Sequence, residues 1–460
     1  MSEIDPASLH ARSHSTAEAA AHLVTTRVRE AEGAPALSPD TYAEALTALG
    51  AARAHAPALP LLATGHGHGA RVRLADGREV IDLVAGLGPY AFGHADPDLL
   101  ETAAIAATND VAFQSHVLPG PQYAALTERL VALAGPRLVH AWLSMSGSMT
   151  NENALKMIFQ RRAPADRVIA FERAFHGRTL AMAELTDRPE YREGLPTRDF
   201  VDRVPFYDPD DPASTQKSVS ALEAVLAAHP GRHAAMCFEL IQGEGGFHDA
   251  PAEFFVALME VCRAHDVSVW IDEIQTFART RELFAFRTLG LDAYVDVVTV
   301  GKILHGSATL FTADHGPRPK LIAGTWAGST VGMALGARVL ERLESEGYAG
   351  TGGRIDRLEG RLDEAFTRLT ARLPSVVTRR SGGGAMQAFV PWSGEADTTG
   401  EIVEVALEEG VLLQTAGGAP TKIRMLPPLN VTDAELDDAF AALERALVRV
   451  AELRSLPTGA

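Results

Sequence analysis

From about residue 70 the chain alternates short apolar runs with longer stretches of helical period. The runs RVIAF (167–171), AAMCFEL (234–240), VSVWI (267–271) and VDVVTV (295–300) are apolar without polar alternation, the pattern of strands buried on both faces. Helical patterns separate them: over 252–265, Phe254, Phe255, Leu258, Met259 and Cys262 recur at helical spacing. Strands alternating with helices predict an α/β fold with a mostly parallel sheet. The Gly-rich break GYAGTGG (347–353) follows a helix expected over 331–346 and marks a boundary. A smaller α+β unit comes after it. It closes on a helix announced by a capping box, Thr432 with Glu435, and carrying Leu436, Phe440, Leu443 and Leu447 on one face. The expected division is a loosely held arm over 1–40, an N-terminal part of the small domain over 41–80, a large domain over 81–345 and a C-terminal small domain over 346–460.

Composition works by exclusion. The 460 residues carry 42 Lys and Arg against 59 Asp and Glu, a formal charge of −17, which argues against a nucleic-acid partner that would need a basic stripe. A chain of this length buries a core without help from disulfides or metal. Cys237 and Cys262, the two cysteines, lie in apolar surroundings, so a reducing compartment, the cytoplasm, is expected. No apolar stretch approaches the roughly 18 residues of a membrane span. Glu3 and Asp5 stand where a signal peptide would be basic. Neither membrane nor export is expected. Only five basic residues are lysines: Lys156, Lys217, Lys302, Lys320 and Lys422.

Three stretches could carry chemistry. In LSMSGSMTNENALKMIF (143–159) a strand-like segment ends in Ser-Gly-Ser and opens an amphipathic helix. Gly147 lets a ligand approach the backbone, Ser148 adds a hydroxyl, and the free amides of a helix start suit a phosphate. Taken alone the stretch is equally the pattern of an ordinary Ser N-cap. No GxxxxGK[ST] loop occurs, which removes most nucleotide-triphosphatase readings. In VSVWIDEIQ (267–275), Asp272 and Glu273 stand just past an apolar strand, where open α/β sheets place their ligands; an N-cap or a salt bridge would explain such acids as well. In VDVVTVGK (295–302), Lys302 follows an apolar run and Gly301. A lysine in an apolar site loses its charge and becomes a nucleophile towards carbonyls, unless it snorkels to the surface. Pyridoxal phosphate needs an anchored phosphate, an acid at its ring nitrogen and a lysine for its aldehyde, and the three stretches together supply all of them.

At this point the sequence resembles the class III (ω-) aminotransferases of the fold-type I pyridoxal-phosphate enzymes, from about residue 80 to 450. SGSMTNENALK is similar to the family's phosphate loop, AFHGRT (174–179) to its aromatic-HG-T segment, FELIQGEGG (238–246) to its QGEGG stretch, DEIQT to its DEVQTG and VGK to its lysine segment. The resemblance implies that Gly147 and Ser148 hold the phosphate and that Phe175, with His176 beside it, covers one ring face. It implies that Ile274 packs on the other face, that Asp272 pairs with the ring nitrogen, that Gln275 reaches the ring hydroxyl, that Glu239 belongs to the cofactor site, and that Lys302 forms the Schiff base. GTWAGST (324–330) matches a segment from which Thr325 would reach the phosphate of a neighbouring subunit, so a homodimer with shared sites is implied. IRMLPPLNVT (423–432) matches the segment whose arginine, here Arg424, grips a substrate carboxylate. Glu244 would mask that arginine while an ω-amine is bound. The implied reaction moves the amino group of an ω-amino acid or diamine to a 2-oxo acid, 2-oxoglutarate, by way of pyridoxamine.

The sequence also departs from the pattern. Met149 and Thr150 replace a Glu-Ala pair, FARTR after DEIQT is one residue short with Ala278 and Arg281 in place of glycines, and HGSATLF follows Lys302. The substrate-facing aromatic upstream of GHADP (93–97) is missing; Leu87 is near its place and Tyr90 offers a substitute. HGHG (66–69) has no acid or cysteine at ligand spacing, so it reads as a solvated loop and no metal is expected. An aminomutase, racemase or decarboxylase on the same fold, and a silent binding relative, are the alternatives.

Overall fold

The computed structural model describes residues 36–459 except residue 58, with a few isolated positions before them. Most of the expected arm thus lies outside the described residues. Its last positions differ from expectation, because Pro39 and Asp40 open a helix, Pro39–Arg53, whose N-cap Ser38 accepts from the Thr41 amide at 3.3 Å. Proline at the first helical position and a serine cap are standard helix starts.

Seven strands form the central sheet: β1 (His140–Ser144), β2 (Arg167–Phe171), β3 (Val201–Val204), β4 (His233–Phe238), β5 (Ser268–Glu273), β6 (Val297–Val300) and β7 (Ser307–Phe311). Their spatial order is β1-β7-β6-β5-β4-β2-β3. All run the same way except β7, which is antiparallel to both its neighbours. The four apolar runs picked out above are four of these strands. Successive side chains point to opposite faces, and each face builds its own core. Ile169, Phe171, Met236, Phe238, Ile271 and Val298 join one cluster; Val168, Cys237, Trp270 and Val297 join another with Ala154, Leu155 and Ile158 of the helix Gly147–Arg162. On the first face the helix Ala252–Ala264 buries Phe254, Phe255, Leu258, Met259 and Cys262.

Two smaller sheets flank this layer. Val377–Gly383, Met386–Pro391, Lys422–Met425 and Gln414–Ala416 pair antiparallel in that order. Ala63–His68, Arg71–Leu74 and Glu79–Asp82 form a meander joined in parallel by Val411–Leu412, so residues before 83 pack with the C-terminal unit. HGHG is therefore strand rather than loop: Gly67 lies against Arg71, where a Cβ would stand 2.2 Å from the carbonyl oxygen. The helix Asp433–Arg454 has the expected capping box. Its Glu435 does more than cap, since one oxygen takes the Thr432 amide at 2.9 Å and the other the buried Ala70 amide at 3.2 Å.

That double duty predicts an order of effects. Thr432→Ala should lower stability by about 1 kcal/mol. Glu435→Ala should cost more, because it also strands a buried amide at about 1–3 kcal/mol. Urea midpoints of the two variants check this, and equal shifts would mean that the Ala70 contact contributes nothing.

Candidate functional site

A cavity of about 240 Å³ opens at the C-terminal edge of the sheet, lined by residues that follow or end β1, β2, β4, β5 and β6. Its walls are Ser146–Ser148 and Asn151; Phe175, His176 and Gly177; Glu239 and Glu244; Asp272, Ile274 and Gln275; and Lys302.

Asp272 and Glu273 are the last two residues of β5 rather than lying beyond it, and alternation sends them to opposite faces. Glu273, fully buried, accepts the Ala285 and Phe286 amides at 2.8 Å each and so starts the next turn of helix. Burial pushes its carboxyl up to about 8. The cap explanation therefore fits Glu273, whereas Asp272 faces the cavity. Asp272 Oδ2 accepts from Asn151 Nδ2 at 2.8 Å and lies 2.9 Å from His176 Nδ1, and Oδ1 accepts the Ile274 amide at 3.0 Å. Beneath His176 lies Cys237, its sulfur 3.7 Å from the ring nitrogens. Burial holds that thiol well above its usual range, so it stays protonated.

The helix Gly147–Arg162 begins at the cavity, and both views of its start are satisfied. Ser146 is the N-cap, accepting the Met149 amide at 3.4 Å, which leaves Ser148 Oγ on the cavity side, where it accepts from the Arg178 amide at 3.3 Å. Gly177 has a φ of 130°, and a Cβ there would stand 2.4 Å from Ser148 Oγ, so glycine is required by both torsion and space. Of the departures in this loop, Met149 points out to solvent, and Thr150 is buried with its carbonyl taken by Thr309 Oγ1 at 2.9 Å.

Lys302 follows β6 with a left-handed φ of 47°. Burial lowers its amine to about 8, against the opposing pull of Glu244. Glu239 spans two loops, its oxygens accepting the Phe175 amide at 3.0 Å and the Gly243 amide at 2.8 Å, and burial raises its carboxyl to about 8. Ile274 packs between Gly147 and Gly301. Gln275 Nε2 donates to the Leu87 carbonyl at 3.3 Å. Beside the cavity Arg424 Nη1 donates to Glu244 Oε1 at 2.6 Å, and its Nη2 to Gln414 Oε1 at 3.1 Å. Burial opposes ionisation of Glu244, yet Arg424 and Lys302 hold its carboxyl below the usual value.

Two expected residues stand apart from the cavity. Tyr90 is partly exposed, its ring 4.6 Å from that of His94, and Thr325 is exposed beside Trp326. Sequence reasoning missed Asn151, Cys237 as a neighbour of His176, and Arg188, which donates to the Glu244 carbonyl at 2.9 Å. A signal for Asn151 was present, since asparagine is a poor helix former and this one lies inside a helix.

The cavity meets the demands of pyridoxal phosphate. It has a helix start for an anion, an acid held by Asn151 and the Ile274 amide, a lysine whose pKa burial lowers to about 8, and space beside Ser148 that a Cβ at Gly177 would fill. Asn151 Oδ1 is also buried there without a partner among the described residues.

Residues 52–447 match the family model for class-III aminotransferases. The chain belongs to that family. It is a pyridoxal-phosphate-dependent aminotransferase. It is 30% identical over 405 residues to the acetylornithine aminotransferase of Gloeobacter violaceus, covering 84% of this chain and 92% of that one. It is 31% identical over 409 residues to the 2-aminoadipate transaminase of Pseudomonas putida, covering 84% and 95%. Among solved structures, a lysine aminotransferase from M. tuberculosis superposes with a TM-score of 0.76 at 26% identity, over 85% of this chain and 95% of that one.

The lowered lysine gives a pH prediction. Burial disfavours the ammonium, so the nucleophilic amine is present from about pH 8 rather than from the unfolded value of roughly 10.4. Cofactor uptake by the cofactor-free protein should therefore rise with a midpoint near pH 8. A midpoint near 10 would mean that the cavity does not desolvate Lys302. Between those two values the unfolded chain holds the extra proton, so the stability cost of burying Lys302 is withdrawn as pH rises through that window.

Proposed function

We propose that this aminotransferase takes the amino group from an ω-amino acid or a diamine and delivers it to 2-oxoglutarate. The observation that carries the proposal is the Glu244–Arg424 pair, closed at 2.6 Å next to Lys302, with Arg424 only 3% exposed. A buried guanidinium is a bidentate receptor for carboxylate, and here an acid of the chain itself, Glu244, occupies it. The Nε of Arg424 is buried without a partner among the described residues, which leaves a donor for a substrate oxygen.

The roles follow from placement. Gly147 and Ser148 would hold the cofactor phosphate, Phe175 and Ile274 its two ring faces, Asp272 its ring nitrogen and Gln275 its ring oxygen, with His176 and Glu239 fixing Asp272 and Phe175. When bound, the cofactor supplies an aldehyde for the amine and a ring that draws electrons from the adjoining carbon. Asp272, held in place by Asn151, His176 and the Ile274 amide, would stabilise positive charge on the ring nitrogen. Lys302 Nζ, its pKa lowered to about 8 by burial, would take the proton from the substrate carbon bearing the amine and in the second half-reaction return one to the oxo acid's carbon. While an ω-amine is bound, Glu244 neutralises Arg424. When 2-oxoglutarate enters, its carboxylate replaces Glu244.

We also propose a homodimer with shared sites. Phe113, Val117, Leu118 and Trp326 are exposed large apolar residues, with Phe113 and Trp326 stacked at 4.4 Å, and Thr325 is next to them. Exposed Met145 and Met149 flank the phosphate loop. Patches of this kind mark interfaces. Both cysteines are free, which suits the cytoplasm, the location we assign. No helix among the described residues is long and apolar enough to cross a membrane.

A panel of diamines and ω-amino acids with 2-oxoglutarate, reading glutamate formed, tests the reaction, with Lys302→Ala as the inactive control; a mutase, racemase or decarboxylase releases no glutamate. Glu244→Ala should slow the ω-amine half-reaction relative to the glutamate half-reaction by roughly ten- to a hundredfold, the scale of one charged hydrogen bond at about 1.5–3 kcal/mol. Equal losses in both halves would contradict the masking role.

A further inference from the structure

Arg279 is 1% exposed, yet among the described residues no carboxylate lies within 4 Å of its guanidinium. Burying a guanidinium without an acid is costly, so its partners define its purpose. Nη1 donates to the Pro427 carbonyl at 2.6 Å and Nη2 to the Gly88 carbonyl at 2.7 Å. These acceptors are 148 and 191 residues away along the chain. Burial lowers its pKa to about 10, with Asp82 pulling the other way, so it stays charged at neutral pH.

Gly88 ends an unusual segment. Ala85, Gly86, Leu87 and Gly88 have φ values of 49°, 63°, 67° and 116°, four left-handed residues in a row, two of which carry a Cβ that disfavours this region. The run is fastened along its length. Asp82 Oδ1 accepts the Val84 and Ala85 amides at 2.8 Å each, Gln275 donates to the Leu87 carbonyl, and Arg279 holds the last carbonyl. It also packs behind the lysine that lines the cavity: a Cβ on Gly88 would stand 3.3 Å from Lys302 Cδ and 3.9 Å from Leu426 Cδ2. On the other side, Pro427 is three residues beyond Arg424. The two segments are tied on either flank by Leu426 N to Leu83 O at 2.6 Å and Leu429 N to Ala91 O at 2.8 Å. Between those bonds the Gly88 and Pro427 carbonyls both turn to Arg279.

We infer that Arg279 is a positioning residue whose planar fork holds the left-handed run beside Lys302 and the strand end carrying Arg424 at one fixed separation, so that it sets the length of carboxylate-bearing substrate the site accepts. A lysine cannot replace it, because a single ammonium does not span two carbonyls in a fixed plane. The placement of the two segments is read from the structure alone, whereas the substrate-length consequence rests on the reading of Arg424 given above.

The test compares holoenzymes of the wild type, Arg279→Met and Arg279→Lys by hydrogen exchange and by substrate series. Exchange at residues 83–92 and 423–430 should quicken in Arg279→Met while the helix Ala252–Ala264 stays unchanged. The ratio of kcat/KM between the best ω-amino acid and its homologue one methylene longer should fall at least threefold. Unchanged exchange in the two segments, or a rise spread over the whole chain, overturns the inference. So does an equal loss for every homologue. If Arg279→Met does not fold, Arg279→Lys is judged by the same two readouts. Arg424→Ala run alongside separates the two readings: a variant that still prefers carboxylate-bearing substrates as strongly as the wild type contradicts the proposed function, and the exchange result still decides the placement.

Discussion

Asp272 is 5% exposed at the end of the central strand β5, where a carboxyl group is tolerable only if hydrogen-bond partners replace the water it has lost. Asn151, His176 and the Ile274 amide meet that demand, and each comes from a different part of the chain. Much of the site can be derived from this requirement. To deliver Asn151, the helix Gly147–Arg162 has to start at the sheet edge, and that start is also where an anion binds. To orient His176, the segment after β2 has to turn back at Gly177, which opens the space next to Ser148. The amide of Ile274 is available because β5 stops one residue earlier, at Glu273, whose own carboxylate starts the following turn.

The other side of the cavity obeys a different constraint, that of cations held near one another at low exposure. Lys302 and Arg424 share the neighbourhood of one acid, Glu244. The lysine yields its proton readily and the arginine does not, so the pair divides into a nucleophile and a fixed charge. Arg279, fully buried, is the third cation close by, and it spends its charge on backbone carbonyls. Around a lysine whose pKa is lowered by burial, the permanent charges are thus paired, Arg424 with an acid and Arg279 with carbonyls.

Much of this was legible in the sequence where the signal is local. Four of the seven strands appear as unbroken apolar runs, and Lys302 and Asp272 each follow or end such a run. Other features are encoded by partners distant in the chain. Asn151 and Asp272 are 121 residues apart, and Arg279 and Gly88 are 191 apart, so no spacing rule announces them. Strand β3, VDRV, is at the sheet edge and has two adjacent charged residues between its valines, and β7, SATLF, is largely small residues; neither looks like a buried parallel strand, and β7 is in fact antiparallel. HGHG, expected as a solvated loop because it has no acid or cysteine at ligand spacing, is mostly strand, and glycine there lets two strands meet. Pro39 and Asp40, assigned to an arm, carry a helix start whose cap, Ser38, was visible but unused.

If Asp272 is the group that the surrounding partners exist to hold in place, replacing its carboxyl by an amide should spare binding and stop chemistry. The most direct measurement is the single-turnover rate of the ω-amine half-reaction in Asp272→Asn, with bound cofactor counted in the same sample. The account predicts a variant that retains its cofactor and loses at least about a hundredfold in rate, the scale of one electrostatic contact aimed at developing charge. A rate within a few-fold of wild type, with cofactor bound, would contradict it.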